Sequence, residues 1–252
     1  MILDTNHNTT GKLDQLKQLG YTHLIRYIAT ADKSITASEA RAIANAGILL
    51  ATVYEAWGDT KNELSSALGI AHAQEYIRKA PLIGQPFGSA MYFAVDSDQP
   101  GNEIQNQIVP YFRSIKAVIG TQYRIGVYGP GSVCAALLDA GLVELAWLAN
   151  ATGWSGFNAF KASGRWNILQ HLPKTIAGLD TDPDEINPAR PDIGAFVPFG
   201  AVAPGGPVTE LHDARWLQAR LNAAGANPRL AEDGSIGALT LAAMIAYVEK
   251  QT

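Results

Sequence analysis

WNILQHLPKTIAGLD, residues 166–180, decides how the fold closes. Two β-rich runs, WNILQH (166–171) and IAGLD (176–180), stand only four residues apart. A parallel crossover needs about a dozen residues, so these two strands should pair antiparallel. Upstream the pattern is different. MILD (1–4), HLIRYI (23–28), ILLATVYE (48–55), MYFAVD (91–96), RIGVYG (124–129) and VELAWLA (143–149) are short apolar runs, and most are separated by helix-patterned stretches. Strands regularly spaced by helices indicate a parallel sheet, and eight of them indicate a barrel.

The intervening helices carry their own signals. TASEARAIANAG (36–47) opens on a capping box, Thr36 to Glu39, and stops at Gly47. Pro110 within NEIQNQIVPYFRSIKAVIG (102–120) implies a kink or a later helix start. NATGWSGFNAFKASGR (150–165) is Gly-rich and weakly periodic, so strand six should lack a full helix behind it. The expected fold is therefore α/β: a (β/α)8-like TIM barrel over residues 1–187 with five regular units and irregular last strands. PARPDIGAFVPFGAVAPGGP (188–207) reads as a linker whose apolar residues can lie along the barrel. Residues 208–252 read as a small C-terminal all-α domain, with LHDARWLQARLNAAG as one helix and LAAMIAYVEKQT as the end of another.

Composition removes several classes of function. With 47% hydrophobic and 17% charged residues the 252-residue chain has a globular profile, and its net charge of −4 gives no basic footprint for nucleic acid. No apolar run approaches the roughly 20 residues that span a bilayer. MILDTNHN lacks the basic start and apolar core of a signal peptide, so synthesis in the cytoplasm is the expectation. The single cysteine, Cys134, sits in an apolar helical run and reads as a small buried hydrophobe. Nothing in the chain specifies an oligomeric state.

Barrel enzymes carry their chemistry at the C-terminal ends of the strands. Asp4, Glu55, Asp96, Asp98 and Asp180 all fall there, on strands one, three, four and eight. Asp96 and Asp98 share a face if the strand stays extended, and carboxylates that close raise at least one pKa. Glycoside hydrolysis needs such a group: one protonated acid for the leaving oxygen and a second carboxylate to attack, activate water or stabilise charge. Aromatic side chains near the same ends, Tyr54, Trp57, Tyr92, Tyr128, Trp147 and Trp154, suit stacking on sugar rings, with Trp57 and Trp154 in Gly-flanked loops. Tyr92 has the parity of Asp96 and should point into the barrel. The five histidines, His7, His23, His72, His171 and His212, show no zinc spacing, so neither metal nor cofactor is expected.

The ordered set VYE, YFAVDSD, GVYG, WLANATGW, WNILQH and GLDTD resembles the bacterial glycoside-hydrolase-like barrel family related to the family 25 lysozymes. The resemblance covers roughly residues 1–187. It implies a muramidase site at Asp4, Asp96, Asp98 and Asp180, with Gln170 on the aromatic-then-Gln strand contacting substrate. It also implies peptidoglycan glycan strands as partner; with no evident signal peptide, release by a phage holin or delivery by a secretion apparatus is the expectation. The chain departs from the lysozyme pattern at one place: Asp98 stands where Asp-x-Glu carries its general acid. The shorter side chain withdraws the proton by about 1 Å or more, which costs on the order of 100-fold. Glu55 is the alternative acid; a wall-binding protein that has lost its acid is the alternative function. WLQARLNAAG and DGSIGALT, with Gln218, Leu221, Asp233, Gly234 and Thr240, resemble a peptidoglycan-binding helical domain.

Overall fold

The computed structural model describes residues 1–28, 32–55, 64–200, 214–234 and 237–249. The chain divides into two compact units, Met1–Pro204 and Gly205–Thr252.

The first unit is a closed barrel. In chain order its strands are β1 (Ile2–Thr5), β2 (His23–Tyr27), β3 (Leu49–Tyr54), β4 (Ala90–Ala94), β5 (Arg124–Gly129), β6 (Leu145–Leu148), β7 (Ile168–Gln170), β8 (Lys174–Ile176) and β9 (Leu179–Ile186). Strands β1 to β7 run parallel, and β9 closes the ring antiparallel to both β7 and β1. The helices are α1 (Leu13–Gln18), α2 (Ala37–Asn45), α3 (Ser66–Lys79), α4 (Gly101–Glu103), α5 (Val109–Ile119), α6 (Gly131–Asp139) and α7 (Phe157–Ser163). A π-helical stretch, Ile104–Ile108, joins α4 to α5 and ends just before Pro110, in the first turn of α5, where a proline would otherwise crowd the preceding turn. Helix α7 is two turns long and lies between Gly156 and Gly164, both in the left-handed region.

The closing strand corrects the sequence reading. IAGLD is not one strand but the turn of a hairpin: Ala177 (φ 55°) and Gly178 (φ 77°) reverse the chain between β8 and β9. The strand that closes the barrel is Leu179–Ile186, a run of acids with Pro183 inside it. Pro183 accepts from the His171 N–H at 2.8 Å but has no N–H to return, so pairing with β7 stops at Gln170.

Alternation along the strands divides the core in two. Met91, Phe93 and Val95 of the β4 segment face the helices with Leu3, Leu24 and Leu50. Ile2, Ile25, Ala51, Val53, Tyr92, Trp147 and Ile168 fill the barrel interior. Gly126 makes room inside: a Cβ there would lie 2.4 Å from the Tyr92 ring. Below the strands, Ile193 and Phe196 are buried, and Phe196 bridges Leu50, so the first part of the Pro-rich segment packs on the barrel.

Thr36 caps α2 by accepting from the Glu39 N–H at 3.2 Å. The Glu39 carboxylate does not return to Thr36. It is fully buried and takes hydrogen bonds from Arg26, Thr9 and Asn8, which fastens the β1–α1 loop to the side of the barrel.

In the second unit the described residues form α8 (Ala214–Ala223) and α9 (Ala238–Glu249). Gln218 is buried between them. It accepts from the Gly234 N–H at 2.9 Å and donates to Asp233 Oδ1 at 2.9 Å and to Thr240 Oγ1 at 3.5 Å. Residues 201–213, including His212, and Trp57 in segment 56–63 lie outside the described residues.

Candidate active site at the barrel mouth

Inward parity continues past the strand ends and brings a set of polar side chains to one rim. On β1 the inward residues are Ile2 and then Asp4; on β2, Ile25 and then Tyr27; after β3, Val53 is followed by Glu55. After β4, Asp96 continues the line of Tyr92 and Ala94. Tyr128, Trp147, Gln170 and the Asp182–Asp184 pair complete the ring from β5, β6, β7 and β9. The register sets Asp4 opposite Asp182, with Asp184 one step deeper, opposite Ile2.

Asp4 is the hub. It is 1% exposed, and its Oδ1 accepts from Tyr27 Oη at 3.1 Å while its Oδ2 accepts from Gln170 Nε2 at 3.1 Å. The Gln170 carbonyl is fixed in turn by Tyr128 Oη at 3.0 Å and the Asn150 N–H at 3.3 Å, so its amide can present only its NH2 to Asp4. Trp147 Nε1 donates to Asp184 Oδ1 at 2.8 Å, and the neighbouring Asp4 carboxyl acts electrostatically on Asp184. Burial first, then the nearby Asp182, raises the Asp4 carboxyl from its ordinary value, although the Gln170 and Tyr27 bonds pull the other way. Burial also raises Asp184 well above the ordinary range, and it raises the half-buried Asp182. Tyr27 and Tyr128 are held neutral by burial and by the surrounding carboxylates.

Glu55 stands on the same rim in a different state. Its Oε1 takes the Lys33 ammonium at 2.5 Å, both side chains being mostly buried, and that ammonium also lies 4.9 Å from the centre of the Tyr27 ring. Asp96 is half-buried and close enough to Tyr128 to be the largest charge acting on it. Among the described residues no group of three or more His, Cys, Asp or Glu side chains is arranged to hold a metal ion.

Four residues nominated by the sequence lie elsewhere. Asp98 turns to the β6–α7 loop, where Oδ1 accepts from the Ser155 N–H at 2.9 Å and Oδ2 from Ser155 Oγ at 3.2 Å. Asp180 is exposed in the β8–β9 hairpin and meets Thr175 Oγ1 at 3.3 Å; the closing strand presents Asp182 and Asp184 in its place. Tyr54 has outward parity: it stacks 4.6 Å from His72 and donates to Glu75 Oε2 at 2.6 Å, against α3. Tyr92 does point inward, but its hydroxyl donates to the Ile193 carbonyl at 2.9 Å, which makes it part of the barrel floor. Trp147 lies inside the barrel with 1% exposure, 4.6 Å from Tyr128, and Trp154 is half-buried in the loop that carries Ser155. Tyr27, Lys33, Asp182 and Asp184 were missed. Alternation in HLIRYI could have found Tyr27; the three alternating acids of LDTDPDE gave the β9 face but not its register.

A family profile described as Rv2525c-like, glycoside hydrolase-like domain matches residues 14–184, most of the barrel. The chain belongs to this family. Among curated relatives, Rv2525c of Mycobacterium tuberculosis, whose name describes it as a candidate peptidoglycan hydrolase, is 30% identical over 192 residues, 72% of this chain and 78% of that one. FadG of Bacillus subtilis is 29% identical over 178 residues, 67% of this chain. This chain spans only 31% of the length of FadG. Among solved structures, the Tat-secreted protein Rv2525c in complex with L-tartrate aligns with a TM-score of 0.66 at 24% identity, over 77% of this chain and 97% of that one, a likeness of fold. No helix among the described residues is long and apolar enough to cross a membrane.

Proposed function

We propose that the protein is a peptidoglycan hydrolase of muramidase type, cutting the β-1,4 bond between N-acetylmuramic acid and N-acetylglucosamine. The observation that carries this reading is the presence of carboxyl groups in two electrostatic states at one barrel mouth. Asp182 is raised by burial yet remains half open to the rim, while Glu55 faces a lysine ammonium. Glycosidases separate their roles in this way, an acid kept protonated and a carboxylate kept charged. In this reading Asp182 protonates the leaving oxygen. Glu55 and Asp96 face the positive charge that develops on the sugar, and the buried Asp4, Tyr27 and Gln170 hold the Asp182 side of the mouth in place. Family membership and the peptidoglycan-directed name of Rv2525c support the polymer. The enzyme would meet it by export, holin release or delivery through a secretion apparatus.

In the C-terminal unit a cavity of about 310 Å³, lined by Leu221, Gly225, Pro228, Leu239, Ala243 and Ala246 among others, offers a place to grip the wall. The polar hub around Gln218 would hold its walls.

A second reading, a wall-binding protein without cleavage, is favoured by one observation. Both acids the sequence offers as proton donors are engaged as acceptors, Asp98 by Ser155 and Glu55 by Lys33. Digestion of purified peptidoglycan followed by reducing-end labelling and mass spectrometry separates the two. The muramidase reading expects new muramic acid reducing ends; bound protein with no released fragments, on walls from several sources, contradicts it.

A further inference from the structure

The mouth rests on a buried pair of carboxyl groups whose hydrogen bonds do not balance unless one of them carries a proton. Asp184 Oδ1 takes the Trp147 indole N–H, but its Oδ2 is buried and meets no donor. Its neighbour Asp4 has both oxygens already served, one by Tyr27 and one by Gln170. An ionised carboxylate only accepts, so two ionised groups would leave a bare, buried oxygen of Asp184 against an anion.

We propose that Asp184 is a neutral carboxylic acid whose Oδ2–H donates to Asp4, making it the positioning residue that holds Asp4 as a carboxylate with three donors. The assignment of the proton to Asp184 follows from the inventory. The indole has no acceptor for a proton on Oδ1, and the Tyr27 and Gln170 donors disfavour a proton on Asp4. The groups that face the pair agree. From β2 comes the Tyr27 hydroxyl, from β7 the Gln170 amide, from β5 and β6 the apolar faces of Tyr128 and Trp147, and from β3 and β9 the carboxyls of Glu55 and Asp182. The one cation of this rim among the described residues, Lys33, answers Glu55 and not the pair, so nothing there favours a second anion at this depth. A carboxylic acid kept neutral so that it can donate is a known device for fixing an active-site anion.

The catalytic consequence rests on the hydrolase reading above; the proton does not. Fixed by Asp184, Asp4 keeps its place opposite Asp182. Infrared spectroscopy of protein carrying 13C-labelled aspartate tests the proton directly. At neutral pH the full chain carrying Asp182→Asn, which removes the other raised aspartate, should show a protonated carboxyl band that is lost on adding Asp184→Asn and retained on adding Asp4→Asn. Absence of the band in Asp182→Asn, its persistence once Asp184→Asn is added, or its loss with either addition overturns the proposal.

Cleavage of peptidoglycan adds the functional half. Asparagine at 184 can accept from the indole and donate to Asp4, so Asp184→Asn should keep most of the rate. Asp184→Ala, which removes a hydrogen bond to a charged group, should lose about tenfold or more. Equal losses in the two variants overturn the positioning role. If the native protein cleaves nothing, the muramidase reading falls while the infrared result still decides the proton.

Discussion

Asp98 shows how a single side chain can mislead and inform at once. The resemblance to the lysozyme pattern makes it an expected general acid, yet both its oxygens hold the Ser155 loop. Replacing it with asparagine keeps an acceptor for the Ser155 N–H and should leave the rate of glycan cleavage nearly unchanged in a steady-state assay. Tyr54 makes the matching case among aromatics. Its ring packs among His72, Tyr76 and Phe93, and its hydroxyl serves Glu75. Tyr54→Phe should leave cleavage intact and cost about 1 kcal/mol in denaturant unfolding, the usual net value of one hydrogen bond. A large fall in cleavage would put Tyr54 in the sugar site after all. Parity was the legible quantity here: Tyr54 is one residue out of phase with Glu55, and alternation alone sends it to the helices.

At the scale of elements, alternation and loop length were readable and register was not. The run from β1 to β6 with intervening helices follows from apolar periodicity, and the antiparallel closure follows from the short spacing after His171. The closing strand was misplaced because Pro183 and four acids argue against a buried strand. What overrides that local preference is closure itself: β9 has ladder partners on both sides, and the Trp147 indole holds its inward Asp184 inside the barrel. Close approaches between elements were likewise invisible. Gly131 at the start of α6 lies against the Gly156 carbonyl, where an added Cβ would come within 2.4 Å. Backbone cannot yield as a side chain can, so Gly131→Ala should force the Ser155 loop away from Asp98. The expected cost is about 1–3 kcal/mol, visible as a lowered unfolding midpoint. An unchanged midpoint would mean that the loop adapts freely.

For the whole molecule, burying raised carboxyls couples stability to pH. Asp184 binds its proton more tightly folded than unfolded, because burial holds it well above the ordinary carboxylate value near 4. Its contribution is therefore complete below the unfolded value and is lost as pH rises towards the raised one. Thermal melts of the full chain should show the barrel transition falling between about pH 5 and pH 9, with a shallower slope in Asp184→Asn. A transition that rises over that range would contradict the buried pair. The barrel as a class was legible from the alternation of strands and helices, and a gathering of acids at one mouth from their places at strand ends. Which acids of the closing strand gather there was not, because it depends on a register two residues away from the one Asp180 suggested. The most direct measurement is therefore the release of muramic acid reducing ends from purified peptidoglycan by the native protein, Asp182→Asn, Asp180→Asn and Asp98→Asn. The account predicts a loss on the order of 100-fold or more for Asp182→Asn, as for removal of a general acid, with the other two variants close to native. Full activity in Asp182→Asn, with loss in Asp98→Asn, would contradict it.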